Sequence, residues 1–169
     1  MTIVPFAEEH LDAAAQLLAE RHRKHREAEP LLPSQLDFRA EIETLWWKEG
    51  ASGAFCGDGY VLGTRLDESW GPNAWVELAG HAVREPEVVR DLYAFAAERW
   101  VDDGRTRHYV YVPASDSALV DAWFRLGFGL SMPSESASSS CPIRQSPTAS
   151  RFGPPTRVTS RSSWRSVPC

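Results

Sequence analysis

The sequence has few lysines, few cysteines and no long apolar run. Only Lys24 and Lys48 are lysine among its 169 residues, and three residues are cysteine. So few cysteines argue against a disulfide framework, and we expect a reducing, cytoplasmic location. No apolar run approaches the ~18 residues of a membrane-spanning helix, so no membrane partner is expected. The net charge of −5 also gives no reason to expect nucleic-acid binding.

The composition changes abruptly near Leu130. Residues 131–169 contain 12 serines, six prolines and five arginines but a single acidic residue, Glu135. This segment carries a charge of +4, whereas residues 1–130 carry −9. Because the segment shows no apolar periodicity, we predict a folded domain at 1–130 and a disordered tail at 131–169. A natural flexible tail and a reading-frame change in a GC-rich gene both explain this composition.

Residues 1–130 alternate between strand and helix patterns. Apolar spacing predicts helices at 9–27, 38–48, 86–102 and 116–126, and strands at 2–6, 54–56, 60–62, 74–83 and 107–112. On the long strand at 74–83, every second residue from Trp75 to Val83 is predicted to share one face. This order predicts an α/β (α+β) fold, in which helices flank a mixed sheet.

The last predicted helix carries a specific pattern. Residues 119–128 read Leu-Val-Asp-Ala-Trp-Phe-Arg-Leu-Gly-Phe. This segment resembles the helix and Leu-Gly-Phe ending of the GNAT acetyltransferase family, and the preceding order of elements is similar too. The resemblance implies transfer of an acetyl or acyl group from acyl-CoA to the amine of a small molecule or peptide, without a metal. It also implies two more strands after Phe128. Residues 131–169 show no strand pattern, so we expect these C-terminal strands to be missing.

The resemblance places the candidate site on the strand at 74–83 and the turn after it. Glu77 corresponds to the family's strand glutamate, and a partly buried carboxylate there would take the proton from an ammonium substrate. The backbone of the same strand would bind the pantetheine arm of acetyl-CoA. The implied cofactor-binding residues are Leu78, Ala79, Gly80, His81, Ala82, Val83 and Arg84.

Several positions depart from the family's pattern. Glu87 and Val89 stand where the family has the two glycines of its phosphate-binding turn, and no glycine occurs between Gly80 and Gly104. A carboxylate opposes a diphosphate, and a branched side chain hinders a close approach to the backbone. Trp123 stands where the family has a tyrosine, so the hydroxyl that would protonate the departing thiolate is missing.

These departures leave two functions open. The chain is expected to be an N-acetyltransferase, and the alternative is a degenerate, non-catalytic GNAT domain that associates with itself or with a second GNAT domain. Single residues have alternatives as well. Arg84 is either a phosphate contact or a surface residue, and His81 is either functional or a polar residue near a strand end. His22 and His25 have a spacing that suits a metal, but a solvated helix end explains them better.

Overall fold

Short strands lie between two pairs of helices in the part of the chain that the structure describes, residues 2–130 of a computed structural model. An antiparallel sheet contains β1 (Val4–Pro5), β2 (Ser52–Cys56), β3 (Gly59–Gly63) and β5 (His81–Val83), in that order. The strands β4 (Asn73–Val76) and β6 (Arg107–Val110) form a separate parallel pair. The predicted tail and the expected loss of C-terminal strands fall outside the described residues.

Four α-helices cover the two faces of the strands within residues 2–130. They are α1 (Leu11–Ala28), α2 (Phe38–Trp46), α3 (Val88–Asp102) and α4 (Ser117–Arg125). Alternate residues of β3 point to opposite faces, so Tyr60 and Leu62 join the core under α1 and α2 while Val61 joins the core under α3 and α4. The predicted α/β architecture with a mixed sheet is therefore confirmed. None of the described helices is long and apolar enough to cross a membrane.

Local interactions determine both ends of the helix α4. The carboxylate of Asp116 accepts a hydrogen bond of 3.1 Å from the backbone N–H of Leu119, which satisfies a donor that the first turn leaves free. At the other end, Gly127 adopts a φ of 89°, a conformation that favours glycine. These two residues fix the element whose sequence carried the family resemblance.

The predicted long strand at 74–83 is wrong in one respect, because a turn interrupts it. Residues Leu78–Gly80 form a short 3₁₀ helix between β4 and β5, closed by a hydrogen bond of 2.8 Å from the Gly80 N–H to the Glu77 carbonyl. Val76 faces the α3–α4 core, and His81 contacts Trp123 of α4. Val76 and His81 are five residues apart, so in an unbroken strand their side chains would point to opposite faces. The turn therefore removes the predicted common face of Trp75 and His81.

Candidate functional site

The candidate site lies where β5 separates from β6. Parallel pairing of β4 and β6 extends to Val76 and Val110, and the N–H of Tyr111 adds a last hydrogen bond of 2.9 Å to the Val76 carbonyl. Beyond that point the chain turns and β5 pairs with β3 instead. The residues that the resemblance assigns to the cofactor lie along this separation.

One edge of β5 faces away from β3. The N–H of Arg84 donates to the Asp58 carbonyl beside β3 at 2.9 Å, and Ala82 pairs with Tyr60. Because the hydrogen-bonding direction alternates along an antiparallel strand, His81 turns its backbone groups to the opposite edge. In the resemblance, backbone groups of this strand are the ones that hold the pantetheine arm.

Side chains of the chain itself already bond to these carbonyls. The guanidinium of Arg21, on α1, donates to the carbonyls of His81 and Leu78, the latter at 2.6 Å. The hydroxyl of Tyr60 donates to the Ala79 carbonyl at 2.7 Å. Thus three of the seven implied cofactor-binding residues have their carbonyl oxygens engaged.

Arg21 is a buried cation that sequence periodicity did not place in the core. Only 6% of the residue is exposed, and burial lowers the pKa of its guanidinium. The structure buries Arg21 and His25 on α1 together with the apolar residues of that helix. A buried charge needs hydrogen-bond acceptors, and the free carbonyls of β5 and the preceding turn provide them.

His81 spans the separation between the two strands. The residue is fully buried, and its Nε2 lies 2.7 Å from the Tyr111 carbonyl at the end of β6. A carbonyl only accepts hydrogen bonds, so Nε2 carries the proton and donates. Burial, followed by the charge of Arg21, lowers the pKa of the imidazole to about 3. A neutral ring therefore bridges β5 and β6 and packs edge-on against Trp123, with ring centroids 5.8 Å apart.

His25 and Asp116 connect α1 to α4. The Nε2 of His25 lies 3.0 Å from a carboxylate oxygen of Asp116, and only 8% of the His25 side chain is exposed. The expectation of a solvated helix end is therefore wrong for His25, since α4 covers it. On the same helix, His22 is partly exposed, and its Nε2 lies 2.8 Å from the Pro33 carbonyl oxygen. No group of three potential metal ligands occurs in residues 2–130.

Glu77 occupies a more polar position than the sequence indicated. It lies directly after β4 and precedes the 3₁₀ turn, whereas the sequence placed it in mid-strand. One third of its side chain is exposed, and its carboxylate pairs with the Lys48 ammonium at 2.5 Å. The pairing partner is 29 positions away and was not anticipated.

Arg84 is a surface residue with acidic partners. Its guanidinium lies 3.2 Å from a carboxylate oxygen of Glu20 and 3.3 Å from one of Asp58. These carboxylates raise the pKa of the guanidinium. A phosphate would have to compete with both of them for this cation.

The first turn of α3 has no free cradle of N–H groups. The N–H groups of Val88, Val89 and Arg90 donate to the carbonyls three residues earlier, at 3.0, 3.2 and 3.2 Å. Helix N-termini bind anions through such N–H groups when they are unpaired. The exposed carboxylate of Glu87 lies there, paired with the Arg125 guanidinium at 2.5 Å, and the fully buried Val89 has a branched side chain where the family has a glycine.

Comparison with known proteins identifies the fold. No family model and no curated protein matches the chain, but solved structures do. A probable acetyltransferase is 18% identical, with 86% of this chain and 100% of that chain covered and a TM-score of 0.57. The aminoglycoside N-acetyltransferase AAC(6')-Iy, solved in complex with CoA, is 15% identical, with 83% and 95% covered and a TM-score of 0.55. An acetyltransferase from Agrobacterium tumefaciens, described as putative, is 12% identical, with 78% and 95% covered and a TM-score of 0.52.

The chain has the GNAT fold. At these identities the likeness concerns the fold, and activity has to be argued from the site. The hydrogen-bonding groups at the site do not fit acetyl-CoA in their present arrangement. Arg21 bonds the carbonyls that face the separation between the strands, and the first turn of α3 offers no cradle for a diphosphate.

The neutral state of His81 predicts a pH dependence of stability. In the folded GNAT domain the imidazole pKa is about 3, against 6.5 for an ordinary histidine, so below pH 6.5 the unfolded chain binds a proton that the folded chain does not. The free energy of unfolding should therefore fall as the pH drops from 6.5 toward 3, with this residue contributing up to about 1.4 kcal/mol per pH unit. His81→Gln keeps a donor for Tyr111 but removes the titration.

Urea unfolding of the native chain and of His81→Gln across this pH range measures the contribution. His22→Gln on α1 is the control, because His22 is partly exposed. This variant should leave the pH dependence of the unfolding free energy as it is in the native chain. Parallel profiles for the native chain and His81→Gln would contradict a buried, neutral His81.

Proposed function

We propose that this chain is a non-catalytic GNAT-fold domain whose role is association with another GNAT-fold domain rather than acetyl transfer. The observation that carries the proposal is the pair of hydrogen bonds from Arg21 to the carbonyls of Leu78 and His81. They tie α1 to the strand edge along which the resemblance places the acyl donor. The chain thus supplies with its own side chain a contact that a ligand makes elsewhere in the family.

Displacing Arg21 would be costly. A hydrogen bond that involves a charged group contributes ~1.5–3 kcal/mol, and two such bonds would be broken together. The Arg21 guanidinium is buried, so it would also lose its acceptors without gaining water. A cost of ~3–6 kcal/mol lowers the affinity of an incoming ligand by roughly two to four powers of ten.

Isothermal titration calorimetry of the full chain with acetyl-CoA tests whether Arg21 hinders binding of the acyl donor. We expect a dissociation constant well above the micromolar range. The triple variant Arg21→Ala, Glu87→Gly, Val89→Gly removes the guanidinium, the opposing carboxylate and the branched side chain, and should bind more tightly. Arg23→Ala changes an exposed arginine on the same helix and should bind as weakly as the native chain. Micromolar binding by the native chain would contradict the proposal.

An aromatic surface on β4 and β6 supports the association role. Val76 and Val110 face the α3–α4 core, so Trp75 and Tyr109 point to the opposite face. Trp70 and Tyr111 extend this group, and neighbouring ring centroids lie 5.0 to 5.6 Å apart. We name Trp70, Trp75, Tyr109 and Tyr111 the aromatic surface.

The aromatic surface adjoins a strand edge suited to pairing. Within residues 2–130, β6 pairs with β4 alone, so its other edge presents backbone donors and acceptors. Tyr111 is 57% exposed and Trp70 is 38% exposed. Exposed aromatic groups beside an open strand edge favour association, and the partner that we propose is a second copy of this chain.

Sedimentation velocity of the full chain tests the association. We expect a concentration-dependent dimer that Trp70→Ser together with Tyr111→Ser weakens at least tenfold. Trp47→Ser removes a 66%-exposed aromatic residue outside the aromatic surface and should leave the dimer intact. A native chain that stays monomeric at high micromolar concentration, or a dimer equally sensitive to Trp47→Ser, would contradict this partner.

A second candidate function is N-acetyl transfer to a small-molecule or peptide amine, and the position of Glu77 favours it. Its partly exposed carboxylate lies where β4 ends and the strands separate, and acetyltransferases are among the structural neighbours. A general base there would accept the proton of an attacking amine.

An acetyl-transfer assay with acetyl-CoA and a panel of amines separates the two functions. We expect no turnover above the rate without protein. Turnover that Glu77→Gln lowers by about 100-fold, while the exposed control Glu41→Gln leaves it unchanged, would favour the enzyme and contradict the non-catalytic proposal.

A further inference from the structure

A second cleft lies at the opposite end of the parallel strand pair. Its volume is about 400 Å³, and the loops that precede β4 and β6 form its walls. Parallel strands begin at the same end, so the length of β4 and β6 separates this cleft from the candidate site beyond Val76 and Val110. The lining residues that matter here are Arg65, Glu68, Gly71, Asp103 and Arg105.

Arg105 is an under-compensated buried cation in this cleft. Only 3% of the residue is exposed. Its one charged partner among residues 2–130 is Asp103, at 3.4 Å from Nη2, and its Nε and Nη1 have no acceptor among those residues. Burial lowers the pKa of this guanidinium, and the nearby charge of Arg65 lowers it further. Unpaired donors of a buried cation are costly, so an acceptor entering the cleft would stabilise the fold.

Gly50 allows the two arginines to come together. It has a φ of 70°, and a Cβ at this position would lie 3.0 Å from Arg65 Cδ and 3.2 Å from Arg105 Nη2. Because Gly50 has no Cβ, both arginine side chains can pass close to its backbone. Arg105 lies inside the cleft and the exposed Arg65 lies at its rim. Two like charges this close repel each other, and an anion between them would relieve the repulsion.

We propose that this cleft binds a small oxyanion, a carboxylate or phosphate group, through Arg105 and Arg65. Guanidinium N–H groups match the oxygens of these anions in geometry and charge, whereas a chloride ion offers no such oxygens. The carboxylates of Glu68 and Asp103 also line the cleft, so they disfavour a ligand with several anionic groups. The site thus suits a compact ligand with one anionic group.

Nitrogen-15 NMR of the full chain gives a direct test. Sodium phosphate and sodium acetate are the probes, and sodium chloride at equal ionic strength is the reference. The Nε–H signal of Arg105, assigned by its loss in Arg105→Lys, should shift in a saturable way with the oxyanions and not with chloride. A saturable shift with both probes supports general oxyanion binding, and a shift with one of them identifies phosphate or carboxylate as the preferred group.

Variants of exposed residues keep the test independent of folding defects. Arg65→Gln should weaken oxyanion binding by about fivefold, the upper range for a partly exposed charge contact. Arg90→Gln, an exposed arginine on α3 away from the cleft, should bind as the native chain does. No saturable shift with either oxyanion, an equal shift with chloride, or native affinity in Arg65→Gln would overturn the proposal.

Discussion

The buried guanidinium of Arg21 is the interaction on which the arrangement of this site depends. A cation that is 6% exposed requires acceptors inside the fold. The carbonyls of Leu78 and His81 can serve because the 3₁₀ turn interrupts the strand and because His81 turns away from β3. An unbroken strand with a neighbour on both edges would have no carbonyl to spare. The break in the strand therefore frees the carbonyl oxygens that the buried arginine needs as acceptors.

The same cation determines how β6 is held. Its charge, together with burial, keeps the His81 ring neutral, and a neutral ring with a proton on Nε2 donates to the Tyr111 carbonyl. The strands β5 and β6 are thus connected by a side chain where their backbones have separated. His25 and Asp116 add a connection from α1 to the cap of α4. Polar contacts consequently occupy the region where the resemblance places the acyl donor, and each depends on the position of its neighbours.

Local patterns predicted the elements well, because their causes are local. Apolar spacing predicted α3 at 86–102 and α4 at 116–126, and the strand pattern predicted β2 at 54–56 and β3 at 60–62. The site was harder, because its contacts join distant residues. Arg21 bonds residues 57 and 60 positions away, and a stripe counted from apolar residues excludes an arginine by construction. The pairing of Glu77 with Lys48 was not predicted for the same reason, because the two residues are 29 positions apart. The resemblance assigned the cofactor to residues 78–84 but carried no information about the side chains that bond to this segment.

Two buried arginines in residues 2–130 differ in how completely their hydrogen-bond donors are paired. Arg21 has acceptors for both terminal nitrogens, and only its Nε lacks one among residues 2–130. Arg105 has a weak partner for one nitrogen and none among residues 2–130 for the other two. Incomplete hydrogen bonding of a buried cation carries a desolvation cost, which an acceptor reaching Arg105 would offset. The oxyanion that we propose for the second cleft would therefore bind at the other end of the parallel strands, not at the helix terminus where the GNAT pattern places its anion.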